Sequence, residues 1–307
     1  MDHHPDTPPQ HEQGSAVVGV NGSRGSDLAV RWAAETAAQR RRPLRIVHGI
    51  DLLTLSSSVE SHDVITPAII DAVREHARAV LDKAAVSARE IAPELEIETE
   101  ISDDSPTRLL IDYSKTAWMV VLGVTVDTGI FAHLGSTLLA VTSHGHGPTV
   151  VVRASGTDQG IRRDGPVVVG IDGSPSSEAA IAAAFSEASE RRTELVAVHS
   201  WSDWDAGEFA GKKALSIDAN QLETAESAIL AERLAGWQEK YPDVAVTRKV
   251  YLAGPTEQLT RWSIRAQLIV VGSRGRGGFA GLLFGSTSNF LVQHAHCPVL
   301  ITHERRT

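Results

Sequence analysis

The chain has 307 residues, 42% hydrophobic and 22% charged, a balance that fits a globular protein and excludes a disordered or collagen-like one. Its formal net charge of −9 argues against a general nucleic-acid binder, although it leaves room for a local basic site. No apolar run approaches the roughly 18 residues a membrane helix needs, and the single cysteine, Cys297, excludes an intramolecular disulfide and suits a reducing cytoplasm.

Met1 to Gly14 is rich in His, Pro and Gln and has no apolar stretch of the secretory kind, so residues 1–14 are expected to form a disordered tail. Ala16 to Asn21 then reads as a short apolar strand. Ser26 is the expected N-cap of a helix whose apolar face carries Leu28, Ala29, Trp32 and Ala33. Leu44 to Ile50 is the next strand, Ile69 to Ala92 a long amphipathic helix stopped by Pro93, and Glu94 to Ile101 a more exposed, alternating strand. Pro106 opens a short helix, Trp118 to Gly123 is a buried strand, Thr137 to Ser143 a helix, and Thr149 to Arg153 a closing strand. Residues 154–165 lack apolar periodicity and read as a linker. The same order then recurs as Val167–Ile171, Ser176–Glu190, Glu194–Ser200, a helix from about Gln221 to Lys240, Val244–Tyr251, Pro255–Ile264, Leu268–Val271, Ser286–Gln293 and Val299–Ile301. A separate loop from Trp201 to Lys213 carries Trp201, Trp204 and Phe209 and is expected to pack as a flap.

The recurrence is quantitative. Asn21-Gly22-Ser23 returns as Asp172-Gly173-Ser174, and Leu44 to His48 as Leu195 to His199, both at an offset of 151. Ser105-Pro106-Thr107 returns as Gly254-Pro255-Thr256 at 149, and Gly135-Ser136-Thr137 as Gly285-Ser286-Thr287 at 150. Landmarks in one order at nearly one offset predict two globular copies, residues 15–153 and 166–303, because the period is far too long for a solenoid unit. Alternating strands and helices predict an α/β fold in which each copy is an open, parallel, five-stranded Rossmann-like sheet with helices on both faces. Ligands of such sheets sit beyond the strand carboxyl ends at the switch in strand order, and Asp172 and Gly272 are both expected at such ends.

Residues 272–287, Gly-Ser-Arg-Gly-Arg-Gly-Gly-Phe-Ala-Gly-Leu-Leu-Phe-Gly-Ser-Thr, carry the clearest chemistry. They leave a buried strand in glycines and enter a helix, the arrangement that lets backbone N–H groups approach a phosphate. No Gly-Lys-Ser/Thr follows, so the loop is not a Walker A loop, and the spacing is not that of a Rossmann fingerprint. Taken alone, the glycines also fit a merely flexible loop.

The spacing Gly272-x2-Gly275-x9-Gly285-Ser286 resembles that of the ATP-binding subclass of the universal stress proteins. Val-Gly-Ile-Asp-Gly-Ser at 169–174, Leu-Val-Ala-Val-His at 195–199 and His-Cys-Pro-Val-Leu at 296–300 extend the resemblance over about Ser15 to His303. The resemblance implies two tandem domains of this family with an adenine nucleotide alpha-hydrolase-like fold, an ATP site and a stress-response role. It implies that Asp172 meets the adenosine part, that main-chain groups near Val198 line the adenine pocket, that Gly272 and Gly275 cradle phosphates, and that Gly285, Ser286 and Thr287 bind them at the helix N-terminus. Gly170, Ser174, Ser273, Arg274, Arg276, Gly277 and Gly278 complete the candidate set, the two arginines through charge-assisted contacts. The corresponding set in the first copy is Gly19, Asn21, Gly123, Gly135, Ser136 and Thr137. There the loop is one residue shorter, Val126 stands in place of Gly275, no arginine is present, and Asp127 brings negative charge. The second copy is therefore the expected ATP site and the first a weak or silent one.

Mg2+ held mainly by the phosphates and water is compatible with this reading. Two alternatives stay open: a slow ATPase or phosphotransferase on the same site, disfavoured because no general base or Walker B acid is evident, and a structural protein that uses the fold only to associate. The tandem chain is expected to form an internal pseudo-dimer through its last strands, Thr149–Arg153 and Val299–Thr302, with homodimerisation open, and no nucleic-acid or membrane partner. His294, His296 and Cys297 are ligand types, but their place at a helix end fits a favourable dipole contact better than a metal site. His48 and His199 repeat between the copies and read as strand-end histidines, with no carboxylate partner evident from the sequence. Arg40, Arg41, Arg42, Arg191 and Arg192 read as solvated helix ends. Ser23 and Ser174 lack the Gly-x-Ser-x-Gly surround of a hydrolase nucleophile.

Overall fold

The computed structural model describes residues 14–52, 67–124, 135–153, 160–200, 219–251, 254–275 and 284–304. The tail over 1–13, the flap over 201–213, most of the first copy's glycine loop, the linker residues 154–159 and Arg276, Gly277 and Gly278 lie outside them. The chain forms two compact units that meet in sequence at Val152 and Arg153.

Unit one runs β1 (Ala16–Gly19), α1 (Arg24–Gln39), β2 (Leu44–Gly49), α2 (Pro67–Ile91), β3 (Ile97–Ser102), α3 (Pro106–Tyr113), β4 (Met119–Gly123), α4 (Ser136–His144) and β5 (Thr149–Val152). Its strands lie in the order β3-β2-β1-β4-β5, all parallel. Unit two repeats this with β6 (Val167–Ile171), α5 (Pro175–Glu190), β7 (Leu195–Ser200), α6 (Ala219–Lys240), β8 (Val246–Tyr251), α7 (Pro255–Ser263), β9 (Leu268–Gly272), α8 (Ser286–His294) and β10 (Val299–Thr302). Its order is β8-β7-β6-β9-β10, again parallel throughout. In each unit the chain moves outward from the first strand on one side, then returns to pair on the other. The switch point of unit two therefore lies between β6 and β9, where Asp172 and Gly272 emerge.

The central strands are covered on both faces, which is why they read as unbroken Val/Ile/Leu runs. Val167, Val168 and Val169, like Leu268, Ile269 and Val270, are wholly buried. The outer strand β3, by contrast, has no fully buried residue. Small residues let the helices approach closely: α1 buries Ala29, Ala33, Ala34 and Ala37, and α5 buries Ala180, Ala184 and Ala188. Phe185, fully buried on α5, stacks on Trp237 of α6 and on Tyr241 just after it, with ring centroids 6.2 and 5.8 Å away. These contacts seat α6 on the unit.

Two local expectations are corrected. The N-cap of α1 is Ser23, not Ser26: Ser23 is extended and its Oγ accepts the Ser26 N–H at 3.2 Å, while Ser26 lies buried inside the first turn. The third residue of Asn-Gly-Ser and of Asp-Gly-Ser caps the following helix in both copies, since Ser174 Oγ accepts the Ser177 N–H at 3.3 Å. The edge strands β3 and β8 begin later than their alternation suggests, because turns closed by Leu95 N–H on Ala92 and Val244 N–H on Tyr241 consume the first residues. Replacing Ser174 by Ala is expected to cost about 1 kcal/mol, read as a lower denaturant midpoint for unit two.

Candidate functional site

Unit two gathers the predicted residues at its switch point. Asp172 follows β6, and its Oδ1 accepts the Ser174 N–H at 2.9 Å and the Ser174 hydroxyl at 2.7 Å. Its own N–H donates to Ser177 Oγ at 3.2 Å. The carboxylate is thus held by the turn that starts α5, and its second oxygen points toward the glycine loop. A Cβ placed on Gly275 would lie 2.5 Å from Asp172 Oδ2. Residues 103 positions apart in sequence meet there, and any side chain at 275 would have to displace the carboxylate.

The loop itself is pinned at both ends. Ser273 donates its N–H to Thr302 O at 2.7 Å and accepts the Gly285 N–H at 2.8 Å, which closes the loop at its neck. The Arg274 carbonyl accepts the hydroxyl of Ser176, tying the loop to the first turn of α5. Gly272 lies so close to Ser176 that a Cβ would meet its Oγ at 2.6 Å and its carbonyl carbon at 2.9 Å. At the far end, Gly285 is the N-cap of α8 and supplies no side-chain bond. The first N–H groups of α8 at Ser286 and Thr287 thus begin a helix whose dipole favours an anion. Ser288 Oγ bonds Gly272 O at 2.6 Å and Thr287 Oγ1 lies 3.5 Å from Thr256 Oγ1, so the start of α8 is docked on β9 and beside the start of α7.

The remaining predicted residues fall elsewhere. Gly170 sits inside β6, where a Cβ would meet Leu259 of α7 at 2.9 Å; it serves helix packing two residues before Asp172. Val198 is buried in β7, in register between Gly170 and Lys249. Ser273 is buried, whereas Arg274 is exposed.

Unit one keeps the turn but not its charge. Asn21 Oδ1 accepts the Ser23 N–H at 3.0 Å, the bond Asp172 makes in unit two. Gly19 packs on Leu110 as Gly170 does on Leu259, and Gly123 is pressed so tightly against α1 that a Cβ would stand 1.8 Å from Gly25 O. Gly135 is the N-cap of α4, Ser136 and Thr137 open that helix, and Thr137 Oγ1 lies 3.2 Å from Thr107 Oγ1. Val126 and Asp127 lie outside the described residues.

Sequence reasoning missed one partner. His199 places Nδ1 2.7 Å from Ile171 O, and its Nε2 stands 3.1 Å from Glu226 Oε2 on α6. Glu226 occurs in the middle of a helix with no motif around it, and only the docking of α6 brings it to the end of β7. In unit one, His48 Nδ1 contacts Val20 O at 2.8 Å. Burial holds the His48 imidazole below its usual pKa, opposed by the Val20 bond, and His76 pushes it further down. His48 folds in its neutral form, so its contribution to stability is present above about pH 6.5 and is lost as pH falls below that value. Unit one should therefore lose denaturant resistance between pH 7.5 and pH 5 more steeply in the native chain than in His48→Gln.

Cys297 is buried and its thiol is pushed up to about 12 by desolvation, while the His294 ring lies tilted at 39° against Phe290 with centroids 4.2 Å apart. Among the described residues no group of three or more His, Cys, Asp or Glu side chains is arranged to hold a metal ion. Among them, too, no helix is long and apolar enough to cross a membrane.

The profile of the universal stress protein family matches residues 15–153 and again 165–303. The chain belongs to the universal stress protein family. It is 38% identical over 296 residues to a universal stress protein of Mycobacterium tuberculosis (strain ATCC 25618 / H37Rv), covering 95% of this chain and 97% of the relative. It is 40% identical over 297 residues to one of Mycolicibacterium smegmatis (strain ATCC 700084 / mc(2)155), covering 94% and 97%. Among solved structures, a universal stress protein from Archaeoglobus fulgidus DSM 4304 superposes with a TM-score of 0.70 at 18% identity, covering 96% of this chain and all of that one. At that identity the likeness speaks for the fold. The tandem arrangement of universal stress protein domains thus extends along nearly the whole of this chain.

Proposed function

We propose that unit two binds one ATP and that the chain acts as a nucleotide-dependent regulatory module in the stress response, with unit one weak or silent. The observation that carries this reading is the contact between Gly275 and the Asp172 carboxylate at the switch point. A ribose hydroxyl is a natural donor to that carboxylate, and a phosphate chain leaving it would run along the Gly272–Gly275 backbone toward the start of α8. The residues present fit the group: the loop neck is closed, a Cβ would fill the cradle, and the N-cap of α8, Gly285, brings no side chain of its own. Asp172 would hold the nucleoside, backbone groups near Val198 the base, and Gly272, Gly275, Gly285, Ser286 and Thr287 the phosphates, with Arg274 and Arg276 adding charge. Mg2+ would be carried by the phosphates and water. In unit one, Asn21 keeps the turn without the anionic acceptor, which supports an unequal pair.

The test is the nucleotide content of the purified chain after denaturation, followed by titration with ATP–Mg and a phosphate-release assay. About one ATP per chain, without steady phosphate release, is expected. Two per chain would make unit one a second site. Turnover that tracks occupancy would favour the slow ATPase, and absence of both content and binding would overturn the reading.

A further inference from the structure

The His199–Glu226 pair needs one proton between its facing atoms, and two arrangements supply it: an imidazolium against a carboxylate, or a neutral ring accepting from a carboxylic acid. A backbone carbonyl only accepts, so the 2.7 Å contact from Nδ1 to Ile171 O requires a proton on Nδ1. Imidazole is ordinarily a stronger base than carboxylate, so the proton that the 3.1 Å approach of Nε2 to Glu226 Oε2 needs is assigned to the ring. With that proton on neither group, a ring lone pair would face the carboxylate across the gap. Both side chains are withdrawn from water, with 13% and 11% of their surface exposed, so solvent does little to relieve such a mismatch.

The pair also occupies a position that matters. The Ile171 carbonyl is the last one before Asp172, and His199, Glu226, Asp172 and Gly173 line one pocket at the strand ends. Arg233 shares that pocket and is engaged by Glu178 of α5. We infer that Glu226 and His199 form an ionic latch from α6 through the end of β7 to the end of β6, which holds the Asp172 turn in place as a positioning device for the nucleotide site. A carboxylate fixing one ring nitrogen sets the direction of the bond the other makes. Unit one has the strand-end histidine and its carbonyl bond but cannot have the latch, because the position 150 residues before Glu226 is His76. Unit one does retain the neighbouring pair, Lys83 on Asp27, which matches Arg233 on Glu178. The loss is therefore specific to the latch. The consequence for affinity rests on the nucleotide reading of unit two; the latch itself does not.

The full-length chain, free of nucleotide, is examined by 15N spectra of the histidine rings, with His199 assigned through a His199→Gln difference. Protons on both ring nitrogens are expected in the native chain. In Glu226→Gln the amide can donate to a neutral ring, so Nε2 loses its proton while the geometry is kept. Amide exchange at Ser174, whose N–H is held by Asp172, should then stay near native in Glu226→Gln. It should quicken about tenfold in Glu226→Met, which keeps the length of the side chain and removes the charged bond. A native His199 ring protonated on one nitrogen only would overturn the latch, and so would unchanged Ser174 exchange in Glu226→Met. The ring spectrum does not use the Met variant, so the question is decided even if that variant does not fold. ATP affinity should fall about tenfold in Glu226→Met and recover in Glu226→Gln; native ATP affinity in Glu226→Met would refute the positioning role. If both ligand-free signals appear and no form of the chain binds ATP, the latch stands and the nucleotide reading falls.

Discussion

Gly275→Val abolishes ATP binding by unit two, with a loss of at least about 100-fold, while the circular dichroism spectrum and melting profile stay close to native. A Cβ at this position stands 2.5 Å from Asp172 Oδ2, well inside contact distance. A carboxylate at the end of a side chain ordinarily swings away from such a clash. Here the other oxygen, Oδ1, is held by the N–H and hydroxyl of Ser174, so the swing breaks two hydrogen bonds, and the valine methyls still occupy the cradle. The fold survives because Gly275 is exposed and lies beyond the end of β9. Isothermal titration of ATP–Mg into the native chain and the variant measures the loss; native affinity in Gly275→Val would remove the loop from the site. Valine is also the residue that stands at the corresponding place in the first copy, Val126, so the same variant asks whether that difference is enough to silence a unit.

Phe185→Ala destabilises unit two by about 3–5 kcal/mol and leaves unit one largely unaffected. Phe185 has no exposed surface and packs on the rings of Trp237 in α6 and of Tyr241 just after that helix. Deleting the ring removes its burial and leaves a void that Ala180, Ala184 and Ala188, being small, cannot fill. The loss falls on the seat of α6, the helix that carries Glu226, so the variant should also weaken ATP binding before it unfolds the unit. Denaturant titration followed by tryptophan fluorescence, with Trp237 reporting unit two and Trp32 and Trp118 unit one, separates the two transitions. A single unshifted transition would contradict the packing described.

Most element positions were legible because they depend on local sequence. Val167–Ile171 is predicted and observed with the same bounds, and Pro106, Pro175 and Pro255 each stand at the start of their helices as their missing N–H favours. The family, too, could be read from short motifs, since Asp-Gly-Ser and the glycine loop are contiguous. The misplaced cap at Ser26 shows the limit of local reading: two serines three residues apart are equal candidates until the extended backbone of Ser23 distinguishes them.

The sequence by itself determined the duplication, the parallel α/β architecture and the two segments that bear candidate chemistry, because periodicity, turn chemistry and glycine spacing act over a few residues. Only the tertiary structure decided which of these meet. The switch in strand order between β6 and β9 carries Asp172 to Gly275 across 103 positions. The seating of α6 on Phe185 carries Glu226 to His199, and with it the one carboxylate that the sequence offered no means of placing. Contacts of that kind are set by how whole elements pack, and packing depends on the shape of every face involved rather than on any spacing along the chain.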